Sequence, residues 1–305
     1  LAILALYGQN FALLCAAHFL MGAGWAAFQY FRFAAGEVVD STWRPVAISL
    51  MLSSLLVAAL IGPQMFIIAK DALQPVPFAG AYRAIAGVAL VGLMPLAFVR
   101  IPLPERPARP AGLSRFAVLA ALKRRPIQRA IAIAAVAQGV MVFLMIPTPI
   151  AMVGCGFTEA TASDVVRWHI VAMFAPSFFT GFLIQRFGAG AVATTGLILI
   201  VGSATAAAAG LGALNFYGAL IVLGIGWNFG FIGATTLLDA AVTEAEKPAV
   251  QGANDTIIAL VSTISAFASG LAISALGWAI LAIISGGVVV LALAVLALDR
   301  APQRA

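Results

Sequence analysis

Apolar residues run through this chain in long blocks, and polar residues interrupt them only at intervals. The pattern predicts nine helical spans, at residues 11–36, 46–69, 81–100, 129–152, 164–184, 191–211, 214–239, 249–276 and 277–298. Each reaches the roughly 20 residues that carry a helix across a bilayer. Residues 1–8 read as the tail of an earlier span. Strand-length alternation of apolar and polar positions is absent, which argues against an outer-membrane barrel. The expected class is an all-α polytopic membrane protein.

Within this pattern the chain repeats itself. Gly22-Ala23-Gly24-Trp25 and Gly224-Ile225-Gly226-Trp227 lie in the first and seventh spans, 202 residues apart (25 to 227). Glu37, Arg44 and Pro45 follow the first copy, and Asp239, Lys247 and Pro248 follow the second. A repeat of about six spans in one orientation implies two half-bundles with a solute bound between them, the plan of secondary transporters. Carried back from residue 129, the offset leads one to expect about 70 further residues ahead of Leu1, holding two spans and most of a third. The expected organisation is an incomplete bundle over 1–100, a linker over 101–128 and a six-helix bundle over 129–305.

Composition narrows the class. Hydrophobic residues make up 63% of the 305, charged residues 9%, and mean hydropathy is +1.08, which excludes a soluble domain. The net charge of +6 would suggest nucleic acid in a soluble protein, but here its placement matters more. With the connection between the first two spans inside, 14 of the 17 Lys and Arg are cytoplasmic, and only Lys70, Arg83 and Arg167 are outside. That asymmetry predicts a cytoplasmic C-terminus. The bias to arginine and alanine suggests a bacterial inner membrane. Cys15 and Cys155 read as two small thiols rather than a disulfide. In the linker, Pro102, Pro104, Pro107 and Pro110 form a stiff spacer. Behind it Leu113, Phe116, Leu119 and Leu122 alternate with Arg115, Lys123, Arg124 and Arg125, as an inner-leaflet helix or as a solvated basic loop.

Gly181-Phe-Leu-Ile-Gln-Arg-Phe-Gly188 resembles the cytoplasmic signature of the major facilitator superfamily, Gly-x-Leu-x-Asp-Arg-x-Gly-Arg-Lys. It departs at Gln185, Ala189 and Gly190. His18-Phe-Leu-Met-Gly22 is similar to that family's Arg-x-x-x-Gly motif, with histidine for arginine, and Glu37 to Arg44 has its Glu-x6-Arg spacing. Gly62-Pro63 sits where antiporters carry a Gly-Pro motif, but a proline kink is sufficient explanation. The resemblance covers the whole chain, as family helices four to twelve with the end of helix three. It implies a two-bundle transporter fold. Gly181, Arg186, Gly188, Glu37, Arg44 and Asp239 would then be gating residues, with Arg186 expected to pair with Asp239 or Glu244.

Polar residues inside spans are costly in lipid and point to function. Trp25, Gln29 and Arg32 form one stripe on the first span; Asn228, Thr235 and Asp239 form another on the seventh, beside Trp227. The resemblance turns both spans, and the fourth with Gln138, toward a central cavity. Trp25, Gln29, Arg32, Gln138, Trp227 and Asn228 are therefore the candidate solute-binding residues, with packing between helices equally open for the two tryptophans. Asp255 and His169 are the candidate proton carriers. Asp255 reads either as a buried carrier or as a carboxylate near the cytoplasmic gate that stays solvated or holds the two halves together; His169, near Asp164 and Arg167, also fits a structural role.

No metal cluster, activated nucleophile or phosphate loop stands out, so an enzyme is not expected, nor a cofactor or metal. Gly22-x-Gly24-x-x-Ala27 mimics a dinucleotide fingerprint inside a spanning helix, where no strand precedes it. The expected function is secondary transport of a small solute by alternating access, coupled to protons, by a monomer among membrane lipids. The alternative is a transport-inactive sensor or scaffold of the same fold.

Overall fold

The structure is a computed structural model that describes residues 1–28, 39, 44–96, 98, 115–243 and 245–298. Its helices are α1 (Ala2–Tyr7), α2 (Phe11–Phe28), α3 (Arg44–Ala69), α4 (Ala79–Leu96), α5 (Arg115–Leu122) and α6 (Arg125–Met145), followed by α7 (Thr148–Gly154), α8 (Glu159–Phe174), α9 (Ser177–Phe187), α10 (Ala189–Ala208), α11 (Ala213–Ala241) and α12 (Lys247–Leu298). No strand occurs among the described residues. The chain divides into two compact units, Leu1–Arg109 and Pro110–Ala305.

Proline and glycine determine where the spans of the second unit bend. Pro147 separates α6 from α7 within one 30-residue apolar run, Arg125–Gly154. Pro176, which lacks a backbone donor, marks the junction of α8 and α9, a broken span bent by 41°. α12 has 52 residues, about 78 Å of helix, more than twice the hydrocarbon core. It breaks at Gly277 (φ 77°), a conformation that glycine adopts without a Cβ penalty, so α12 is two spans joined end to end. The break falls at the expected boundary between residues 276 and 277. The second unit thus contains α6–α7, α8–α9, α10, α11 and the two limbs of α12.

Lipid gives apolar helices no hydrophobic reason to associate, so close packing must hold them together. Glycine supplies it. A Cβ on Gly196 of α10 would stand 2.2 Å from the Gly230 nitrogen and 2.6 Å from the Gly226 oxygen of α11. One on Gly224 would stand 2.7 Å from the His169 carbonyl oxygen of α8, and one on Gly139 of α6 2.7 Å from Val261 of α12. Around these seams Leu144, Met152, Leu197, Phe216, Leu220 and Leu281 are buried in one core. Trp278 is tied into it by an indole N–H that donates to the Ala207 carbonyl at 3.0 Å.

α5 belongs to this unit rather than to a free loop. Ala121 is buried with Ile127, Ile131, Leu238 and Val250, while Leu119 is exposed. The proline run at 102–110 and Leu113 lie outside the described residues. In the first unit α2, the later part of α3, and α4 are apolar helices; Pro63 lies within α3. Tyr82 and His18 meet edge to face there. His18 Nδ1–H donates to the Leu14 carbonyl at 2.9 Å, so Nε2 accepts the Tyr82 hydroxyl at 3.0 Å.

Candidate functional site

The second copy of the repeated tetrad is legible in space. Gly224 brings α11 against α8, Gly226 brings it against α10, and Trp227 reaches α6 on a third side. Its indole N–H donates to Gln138 Oε1 at 2.7 Å. Phe231, one turn on, stacks on Trp227 with ring centroids 5.1 Å apart and an interplanar angle of 17°. Phe174 of α8 meets Trp227 edge-on at 6.0 Å. All four side chains are half-buried. The result is a partly accessible aromatic box with one amide at its edge. Its geometry suits offset stacking of a further flat ring. Phe174 and Phe231 were not among the expected site residues; the i, i+4 spacing of Trp227 and Phe231 was the available signal.

Asn228 requires a correction. It was expected to face the solute, but it is fully buried and its amide is saturated. Nδ2 donates to the Met173 carbonyl and to Ser177 Oγ, both at 2.7 Å, and Oδ1 accepts the Thr180 hydroxyl at 2.6 Å. These partners flank the Pro176 break, where the helical ladder is interrupted. Asn228 therefore fastens the bent span to α11. Replacing it by alanine leaves Met173 and Thr180 without these bonds and is expected to cost about 2 kcal/mol. The measurement is the thermal unfolding midpoint in detergent, which should fall clearly below wild type.

The two titratable candidates are placed unlike one another. Asp255 is exposed; its neighbour Asn254 is the buried one, donating from Nδ2 to Asp255 Oδ1 at 3.2 Å. One residue of helix turns the side chain by about 100°, which exchanges the two faces. His169 is fully buried, with Nδ1–H donating to the Leu220 carbonyl at 2.7 Å and Nε2 unpartnered. It sits in the contact of α8 with α11. Asp164 accepts from Arg167 and from the Tyr217 hydroxyl, closing the same contact nearer the start of α11.

The expected ion pair of Arg186 with Asp239 is not formed. Asp239 pairs with Lys247 at 2.6 Å, because the short turn after α11 returns the start of α12 beside it. The Arg186 guanidinium lies 5.4 Å from the Phe187 ring centroid. Glu244 lies outside the described residues. A different clasp occurs close by: Glu246 accepts Arg124 at 2.7 Å and both the N–H and hydroxyl of Thr243 at 3.0 Å. The Thr243 N–H, and then Arg124, hold its carboxyl below the usual carboxylate range. The Thr-x-x-Glu spacing was the sequence signal for this turn. Gly188 (φ 83°) forms the one-residue turn from α9 to α10. A Cβ on Gly181 would meet nothing within 4 Å, so this glycine makes no close helix contact among the described residues.

Gln29, Arg32 and Glu37 lie outside the described residues. Trp25 and Arg44 are positions on α2 and α3. Cys15 and Cys155 are both free thiols. No group of three or more His, Cys, Asp or Glu placed to hold a metal occurs among the described residues.

Comparison with known proteins bears on what such a bundle does. No protein-family profile matches the chain. It is 36% identical over 278 residues to the riboflavin transporter RfnT of Brucella anthropi, covering 91% of this chain and 70% of that protein. It is 29% identical to the MFS-type transporter YddS of Bacillus subtilis, covering 95% of this chain and 70% of that one. A second Bacillus subtilis MFS-type transporter, YdeG, is 29% identical over 88% of this chain and 65% of its own length. Among solved structures, the major facilitator transporter FucP in its outward conformation superposes with a TM-score of 0.54 over 99% of this chain and 79% of that one, at 15% identity. That likeness speaks to the fold. With a helical bundle held by glycine seams and curated relatives that are transporters rather than enzymes, the chain belongs to the major facilitator superfamily of membrane transporters.

Proposed function

We propose that this protein is a secondary active transporter that moves a planar heteroaromatic solute of the riboflavin class by alternating access. The observation that supports the solute class is the Trp227 box, two stacked aromatic rings with an amide at the edge. Stacking favours a flat conjugated partner, because both sides then present π faces. The 36% identical relative is named for riboflavin, a solute of that kind. In this reading the protein lies in a bacterial inner membrane with its C-terminus and residues 101–128 in the cytoplasm, following the excess of Lys and Arg. Proton drive belongs to the same proposal, with Asp255 of α12 as the candidate carrier.

The test is uptake of labelled riboflavin by cells that express the full-length protein and lack their own uptake. Saturable uptake that a protonophore abolishes is expected, with Thr158→Cys labelled by an impermeant maleimide from outside and Ser114→Cys not. Correct labelling without any uptake would favour the transport-inactive sensor instead.

A further inference from the structure

An indole N–H can only donate, so the Gln138 atom 2.7 Å from Trp227 is the acceptor Oε1. That contact determines which end of the amide the protein uses. Oε1 is occupied, while Nε2 carries two N–H donors and meets no acceptor among the described residues. The side chain is half-buried at the edge of the aromatic box, where water satisfies such donors until a solute group replaces it. Gly139 sits behind it and brings α6 against Val261 and Ser265 of α12, which holds the rotation of α6 that aims Gln138 at Trp227.

We infer that Gln138 is a specificity-determining residue: with its amide oriented by Trp227, it offers N–H donors to an acceptor on the edge of a planar solute stacked in the box. This rests on the planar-solute reading above and adds a polarity to it. Solutes with a ring carbonyl or comparable acceptor on that edge are accepted. A flat ring without one leaves the donors unpaired, and a ring edge made of donors opposes them, so both are bound less well. Trp227 is then both the floor of the box and the positioning residue for the amide.

The experiment is calorimetric titration of the purified full-length transporter in lipid nanodiscs with two tricyclic probes of similar width. Lumichrome carries ring carbonyls; phenazine carries only two ring nitrogens, which are much weaker acceptors flanked by C–H groups. Wild type is expected to bind lumichrome more tightly. Gln138→Leu should weaken lumichrome about tenfold and leave phenazine unchanged, as expected for loss of one hydrogen bond. Gln138→Glu keeps an acceptor for Trp227, and with it the fold, but its carboxylate has no donor for the solute; it should weaken lumichrome at least as much. Equal weakening of both probes, or no change with Gln138→Glu, overturns the role of Gln138. Wild type that binds phenazine but not lumichrome also overturns it while sparing the planar-solute reading, whereas wild type that binds neither removes that reading itself.

Discussion

Gly196→Ala is expected to destabilise the second unit strongly. The added methyl would stand 2.2 Å from the Gly230 nitrogen and 2.6 Å from the Gly226 oxygen, against an ordinary contact distance of about 3.5 Å. Every atom in the way is backbone, so no side chain can swing aside. α10 and α11 must therefore part by about 1 Å or more, and Leu197 and Ile200, both fully buried, lose their neighbours. Packing is what holds apolar helices together in lipid, so nothing replaces the loss. The expected cost is about 3 kcal/mol, at the upper end for an overpacked core. Gly202→Ala on the same helix is the control, because a Cβ there meets nothing within 4 Å. Unfolding midpoints in detergent, followed by circular dichroism, should separate the two variants widely. Indistinguishable midpoints would show that the glycine seam opens cheaply.

Trp227→Ala should abolish most transport while leaving the bundle folded. Trp227 is half-buried, stacked on Phe231 and bonded to Gln138, so its removal takes away the floor of the box and the fixed orientation of the amide together. Stacking of a flat ring on an aromatic side chain contributes about 1–3 kcal/mol, so kcat/KM for the proposed solute should fall about tenfold to a hundredfold. Trp227→Phe keeps a stacking face but not the indole N–H, and should fall between wild type and alanine. Initial uptake rates in proteoliposomes, with the unfolding midpoint of each variant alongside, provide the measurement. Unchanged uptake in Trp227→Ala would assign the residue to helix packing alone.

Part of this molecule was legible in its sequence because the bilayer is a demanding solvent. A spanning segment must be apolar for its whole length and must satisfy its own backbone, so hydropathy located the helices of the second unit. The boundary at residues 276 and 277 was readable for the same reason: no single helix of 52 residues fits the membrane thickness. The signature at Gly181–Gly188 and the tetrad at Gly224–Trp227 marked the family plan and the position that matters most.

What the sequence could not decide was how each helix is turned about its own axis. In lipid a helix carries little amphipathic signal, since apolar residues face both the core and the solvent. Neighbours such as Trp227 and Asn228, about 100° apart, are then equivalent candidates until packing assigns them. The tertiary structure sealed Asn228 against Met173 and Thr180 and left Trp227 half-open, paired with Gln138 across 89 residues of chain. It likewise buried Asn254 and exposed Asp255, and gave Asp239 to Lys247 rather than to Arg186. The sequence by itself determined that the chain crosses a membrane as repeated helices. Only the close approach of those helices, set by glycine backbones meeting at van der Waals distance, decided which polar groups hold the bundle together and which are left for a solute.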